Sequence, residues 1–193
     1  MKICVYCGSS RGNNEIYRQA AAELGKTFAQ RQIGLIYGGG RVGLMGLIAE
    51  SAMKHGGEVT GIIPHFLNDS EGIAFDSITH VHVTDTMHTR KAMMYDMADG
   101  FIALPGGYGT LDEVFETVTW AQLGLHQKPI GLLNINGYYS HLVAHLDLMV
   151  REGFLSEKNR SMLLIADTLP ELLQLMWHYK APDSSKWLDN VVL

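Results

Sequence analysis

The chain has 193 residues, 47% of them hydrophobic and 18% charged, which is enough for one sizeable core and leaves little for a second. A formal net charge of -5 argues against a binder of the nucleic-acid backbone, whose affinity comes from clustered Lys and Arg, so any anionic ligand must be held locally. The N-terminal apolar run is too short for a signal-peptide core and no later run reaches the length of a membrane span, so a soluble cytoplasmic protein free of nucleic acid and membrane is expected.

Lys2–Tyr6 is a short β-branched, apolar run and reads as the first strand. It contains Cys4 and is followed by Cys7, a lone C-x-x-C. With no second ligand pair, and no helix directly behind it, this pair reads as buried structural thiols rather than a zinc or redox site. Further strands are predicted at 34–37, 59–63, 80–84, 101–104, 130–133 and 162–165. Helical patterns lie at 15–31, 44–54, 87–97, 111–125, 138–152 and 171–179. Strands that alternate with helices connect by right-handed crossovers. The expected class is therefore α/β, a doubly wound, mainly parallel, Rossmann-like sheet of about seven strands with helices on both faces. Residues 1–180 form one nucleotide-binding domain in this reading, and the polar stretch beginning at Ala181 and Pro182 opens a C-terminal tail, 181–193.

Ligands of open parallel sheets bind beyond the carboxyl ends of the strands, and three such positions here are rich in glycine. Cys7-Gly8-Ser9-Ser10 follows the first strand, Gly38-Gly39-Gly40-Arg41-Val42-Gly43 the second, and Pro105-Gly106-Gly107-Tyr108-Gly109-Thr110 the fifth. Any one of them could be a plain turn, but three converging on one sheet edge favour a phosphate held by main-chain N–H groups and helix dipoles. Gly38, Gly40 and Gly43 spell G-x-G-x-x-G, which alone would suggest a dinucleotide. The ribose-binding acid of that motif should end the next strand, whereas Glu58 begins it. The Lys and Ser/Thr of a P-loop are missing as well, which disfavours NTP hydrolysis.

Thr110 and Glu113 have the spacing of a capping box, with Thr110 as cap and Glu113 in the first turn. The same carboxylate, at the head of a phosphate-binding helix, could orient water or stabilise positive charge on a sugar. Arg90 stands near a helix start after the fourth strand, where the dipole gives a cation no help, and is a candidate for orienting a nucleotide. Lys91 beside it reads as a secondary substrate contact. The pairs His80/His82 and His141/His145 lack a third ligand and read as surface residues, so no metal is expected.

The segments from Gly38 to Gly46, Met87-x-x-Arg90-Lys91, the ungapped P-G-G-x-G-T-x-x-E from Pro105 to Glu113, and the stretch from Thr119 to Asn134 closely resemble the Lonely Guy family, in order over nearly the whole chain. The resemblance implies a phosphoribohydrolase that releases an adenine-type base, such as a cytokinin, from its riboside 5′-monophosphate and leaves ribose 5-phosphate. It implies Arg90 and Glu113 as the catalytic pair, and Gly106, Gly107, Gly109 and Thr110 as the phosphate cradle. Ser9, Gly39, Gly40 and Met45 would line the ribose or base. No cofactor is required by such chemistry, and lysine decarboxylation, a frequent label for these proteins, finds no pyridoxal-phosphate lysine site here. An AMP nucleosidase, a non-catalytic nucleotide or cofactor carrier, and a dehydrogenase remain alternatives. The helical segment 111–125 carries apolar residues on more than one face, which together with the resemblance implies a homodimer.

Overall fold

The computed structural model describes residues 1–67 and 78–182. Its centre is a seven-stranded sheet in which every strand pairing is parallel. The strands are β1 (Lys2–Tyr6), β2 (Gly34–Tyr37), β3 (Val59–Pro64), β4 (His80–Thr84), β5 (Gly100–Ala103), β6 (Ile130–Leu133) and β7 (Leu163–Ala166). In space they run β4-β3-β2-β1-β5-β6-β7, so the chain builds outward from β1 in one direction, returns to β1's other side with β5, and builds outward again. The reversal lies between β1 and β5, and a crevice opens there at the carboxyl edge.

The strand sequences sort their side chains between two layers with a period of two. Ile3 and Val5 of β1, and Leu35 and Tyr37 of β2, enter one core with α1 (Glu15–Gln30), α2 (Gly43–Lys54) and the C-terminal helix α7 (Leu169–Trp177). Cys4, Tyr6 and Ile36 enter the other, with α3 (Met87–Met97), α4 (Tyr108–Gln122) and α5 (Ser140–Arg151). The sheet is thus covered on both faces. The described residues also include a one-turn helix α6 (Glu157–Arg160) and a 3-10 turn at Ile135–Gly137, and neither carries a periodic pattern long enough to be read from sequence.

Several boundaries differ from expectation by a residue or two, as at β5, β7 and both ends of α5. The consequential difference is α4. It begins at Tyr108, three residues before the expected start, with Gly107 as its cap and no side chain bonded to the cap position. Thr110 is therefore inside the helix, and the capping box expected between Thr110 and Glu113 does not exist. Apolar periodicity starts only at Leu111, so the pattern could not show the glycine-rich first turn to be helical. At the other end, α7 starts at Leu169, ahead of the expected 171, because Pro170 is tolerated in a first turn. Most of the expected tail lies outside the described residues. Cys4 and Cys7 are buried and free, and burial pushes both thiols up.

Candidate active site

The glycine loops after β1, β2 and β5 meet at the reversal point. The amide of Gly8 donates to Pro105 O at 3.1 Å, and that of Leu44 donates to Gly8 O at 3.1 Å, so the three loops are stitched together through their main chains. Gly43 makes the contact possible: its φ is +67°, and a Cβ there would sit 2.2 Å from the carbonyl carbon of Ser9. The loops wall a cavity of about 310 Å³ together with Arg90, Lys91 and Glu113, a size suited to a small organic ligand.

One wall is the start of α4. Helix geometry leaves its first four amides without an intrahelical acceptor. With Gly107 as cap these belong to Gly107, Tyr108, Gly109 and Thr110, all of which line the cavity. The first amide bonded within the helix is that of Leu111, which donates to Gly107 O at 3.2 Å. Unpaired amides and the positive end of the dipole make this wall an anion site. Thr110 is itself buried, its hydroxyl occupying the space a side chain on Gly106 would need: a Cβ there would lie 2.1 Å from Thr110 Oγ1.

Arg90 and Glu113 meet in the wall of the same cavity. Thr86 caps α3 in a reciprocal pair with Thr89, fixing the turn that carries Arg90. The guanidinium donates through Nε to Ile62 O at 3.1 Å and through Nη1 to Glu113 Oε1 at 2.9 Å, with side-chain exposures of only 8% and 13% for the two partners. Arg90 is therefore a buried residue of the site and not a solvated one. Burial holds the Glu113 carboxyl above its usual range, and the neighbouring Arg90 offsets only part of that rise.

Of the residues singled out from sequence, Ser9, Gly40, Met45, Arg90, Lys91, Gly107, Gly109, Thr110 and Glu113 line the cavity. Gly39 and Gly106 stand behind that lining. Gly39, with φ +78°, turns the chain against Ile62 and Ile63, and Gly106 borders an adjoining cleft. Lys91 reaches the wall, but its ammonium is held by Asp112 at 3.1 Å and Glu116 at 3.0 Å. Cys7, Gly8, Gly38 and Tyr108 of the glycine loops and Met87 of the Arg90 motif line the cavity too, although no role was assigned to them, while Ile63, Leu67 and Asp112 were not singled out. Ile63 and Met87 could have been found as the residues ending β3 and opening α3, on the edge already identified. Glu58, the acid weighed for a dinucleotide ribose, pairs instead with Lys2 at 2.8 Å, at the opposite end of β3.

A family model described as "Possible lysine decarboxylase" matches residues 45–176. A cytokinin riboside 5′-monophosphate phosphoribohydrolase of Arabidopsis thaliana is 50% identical over 178 residues, 92% of this chain and 83% of the relative. The chain belongs to the Lonely Guy family. A probable phosphoribohydrolase of the same name from Oryza sativa subsp. japonica is 46% identical over 191 residues, 96% of this Lonely Guy chain and 78% of the relative. Among solved structures, the molybdenum cofactor binding protein of the phototrophic bacterium Rippkaea orientalis superposes with a TM-score of 0.68 at 24% identity, over 91% of this chain and 94% of that one, a likeness of fold. The decarboxylase description of the family model is not shared by these named Lonely Guy relatives.

Proposed function

We propose that this protein hydrolyses the N-glycosidic bond of an adenine-type, cytokinin-like nucleoside 5′-monophosphate, releasing the free base and ribose 5-phosphate. The observation that carries this reading is the buried Arg90–Glu113 pair lining one cavity with the four free amides at the start of α4. The amides and Thr110 grip the phosphate, which places the sugar beside the carboxylate. As the bond from C1′ to the base nitrogen breaks, positive charge grows on the sugar and Glu113 stabilises it. A water oxygen then bonds to C1′, and its proton accompanies the departing base. Arg90 orients the substrate and holds Glu113. Ser9, Gly40 and Met45 line the ribose and base, Gly39 and Gly106 shape the loops from behind, and Lys91 acts through Asp112.

Decarboxylation through a lysine Schiff base does not suit Lys91. Burial alone would lower its pKa, but the bonds to Glu116 and Asp112 outweigh burial and raise it, whereas an amine nucleophile must be neutral.

The test is incubation with AMP, isopentenyladenosine monophosphate and the two matching nucleosides, with free base measured by chromatography. Base release from nucleotides, with both turnover and affinity lost for nucleosides, is expected because the phosphate supplies remote binding energy. Release from neither nucleotide overturns the reading and leaves a carrier. An advantage of AMP over its prenylated counterpart identifies an AMP nucleosidase.

The protein acts, in this proposal, as a cytoplasmic homodimer with residues 1–180 as one unit. No described helix is long and apolar enough to cross a membrane. Val114 and Ala121 of α4 are buried in the monomer's own core, but Leu123 and Leu125 beyond its end are 41% and 65% exposed and pairing would cover them. Light scattering that gives a monomer mass refutes the dimer.

A further inference from the structure

The phosphate loop between β5 and α4 has three successive carbonyls, and each is held by a group from outside the loop. Leu104 O accepts from Tyr139 Oη at 2.6 Å, Pro105 O from the Gly8 amide at 3.1 Å, and Gly106 O from Tyr138 Oη at 2.6 Å. Two adjacent tyrosines at the start of α5 thus clamp a loop more than thirty residues earlier. Their own placement is built locally: Asn136 and Gly137 turn the chain at φ +53° and +69°, and Asn134 Oδ1 accepts from the Tyr139 amide at 2.7 Å.

The third of these bonds has a particular consequence. In a trans peptide the C=O and the N–H point in opposite directions, so holding Gly106 O on the cleft side fixes the Gly107 N–H on the other side. Gly107 lines both the cleft and the cavity, so an N–H turned away from the cleft is turned toward the cavity. The peptide also joins two glycines, and with no Cβ on either flank its rotation meets little steric resistance. A flipped peptide would present a carbonyl dipole to an anion in place of an amide. Tyr138 is 44% exposed and its ring meets Tyr17 and Tyr139 edge-on, so the hydroxyl is the group that distinguishes the two peptide orientations.

We propose that Tyr138 is a positioning residue that locks the Gly106–Gly107 peptide with its N–H aimed at the substrate phosphate. This deepens the reading given above and rests on its placement of the phosphate. The variant Tyr138→Phe removes the hydroxyl and keeps the ring. It should weaken the binding of inorganic phosphate and ribose 5-phosphate, measured by calorimetry, by about 3- to 10-fold, the equivalent of one hydrogen bond. KM for a nucleoside 5′-monophosphate should rise by the same factor, with kcat changed less than about 2-fold and the preference over the nucleoside narrowed to match. A merely structural role would lower the melting temperature and leave phosphate binding and that preference unmoved, and this outcome overturns the proposal. Tyr139→Phe, which strips a buried bond from Leu104 O, serves as the contrast and should lose thermal stability. A wild-type protein that binds phosphate but releases no base refutes the reaction while the Tyr138 comparison still decides. One that binds neither phosphate nor ribose 5-phosphate overturns both.

Discussion

The Cα of Gly38 lies directly against the Arg90 guanidinium: a Cβ at residue 38 would come within 2.0 Å of Nη2 and 3.2 Å of Cζ. The absence of a side chain on β2's loop is therefore what lets an arginine from α3 cross to α4. Gly38→Ala should push the guanidinium out of line with Glu113 while leaving both cores untouched. A displacement of about 1 Å in a catalytic group costs on the order of 100-fold in rate. Base release should fall by that amount with little change in melting temperature, and normal turnover would show that the Arg90 position is not critical.

Glu113 is not a helix cap, so Glu113→Gln tests its charge without disturbing the start of α4. The amide still accepts a hydrogen bond from Arg90 but cannot stabilise a sugar cation as a carboxylate does. Turnover should drop by roughly 100- to 10,000-fold, the range for losing a charged group that acts on the transition state. Chromatographic base release is read beside a thermal melt, which should fall as well because the buried Arg90 guanidinium keeps a hydrogen bond but loses its counter-charge; normal base release would overturn the assignment of Glu113.

The rate should also report the titration of Glu113. Burial raises its pKa above the ordinary 4.5 despite the Arg90 cation. The active form is the carboxylate, so activity is present at high pH and is lost as pH falls through the raised value. The acid limb of kcat/KM should consequently lie above the ordinary carboxylate range, and a limb at or below that range would contradict the assignment.

Removal of the cation should give the reverse dependence in stability. Arg90→Ala leaves the Glu113 carboxylate buried with no partner of opposite charge at hydrogen-bond distance, which costs about 3–5 kcal/mol at neutral pH. For a buried acid of raised pKa, protonation favours the fold, an effect present at low pH and lost as pH rises through the folded-state value. The deficit of this variant, measured by urea unfolding, should shrink on acidification, and a deficit independent of pH would mean it comes from lost packing.

Gly106→Ala probes the loop from behind. The new methyl group would meet Thr110 Oγ1 at 2.1 Å and the Gly8 amide nitrogen at 2.8 Å, forcing the first turn of α4 and the β1 loop apart. Affinity for ribose 5-phosphate should fall by at least about 10-fold in calorimetry, since misplaced amides no longer converge on one anion. Undiminished affinity would place the phosphate elsewhere.

Much of the architecture was legible because its signals are local. A period of two in β1 and β2 sorts Ile3 from Cys4 and Leu35 from Ile36 between opposite cores, and alternation of strands with helices dictates parallel pairing. The glycine loops announced themselves by composition and by position after strands. The start of α4 was misread because Tyr108, Gly109 and Thr110 carry no apolar periodicity. Capping chemistry then offered a plausible but wrong alternative, with Thr110 packing on Gly106 in place of bonding an amide.

From the sequence alone came the layers of the sheet, the edge on which a ligand sits and the residue types able to hold it, since each depends on neighbours within a few positions. Only the tertiary structure decided that Arg90 bonds Glu113, that Gly38 makes room for it, that Asp112 and Glu116 occupy Lys91, and that Tyr138 reaches back to Gly106. These contacts join separate elements, and those of Arg90 with Glu113 and of Lys91 with Asp112 and Glu116 cross the β1–β5 reversal. Their geometry follows from the order of strands in the sheet, a quantity that no local pattern of residues encodes.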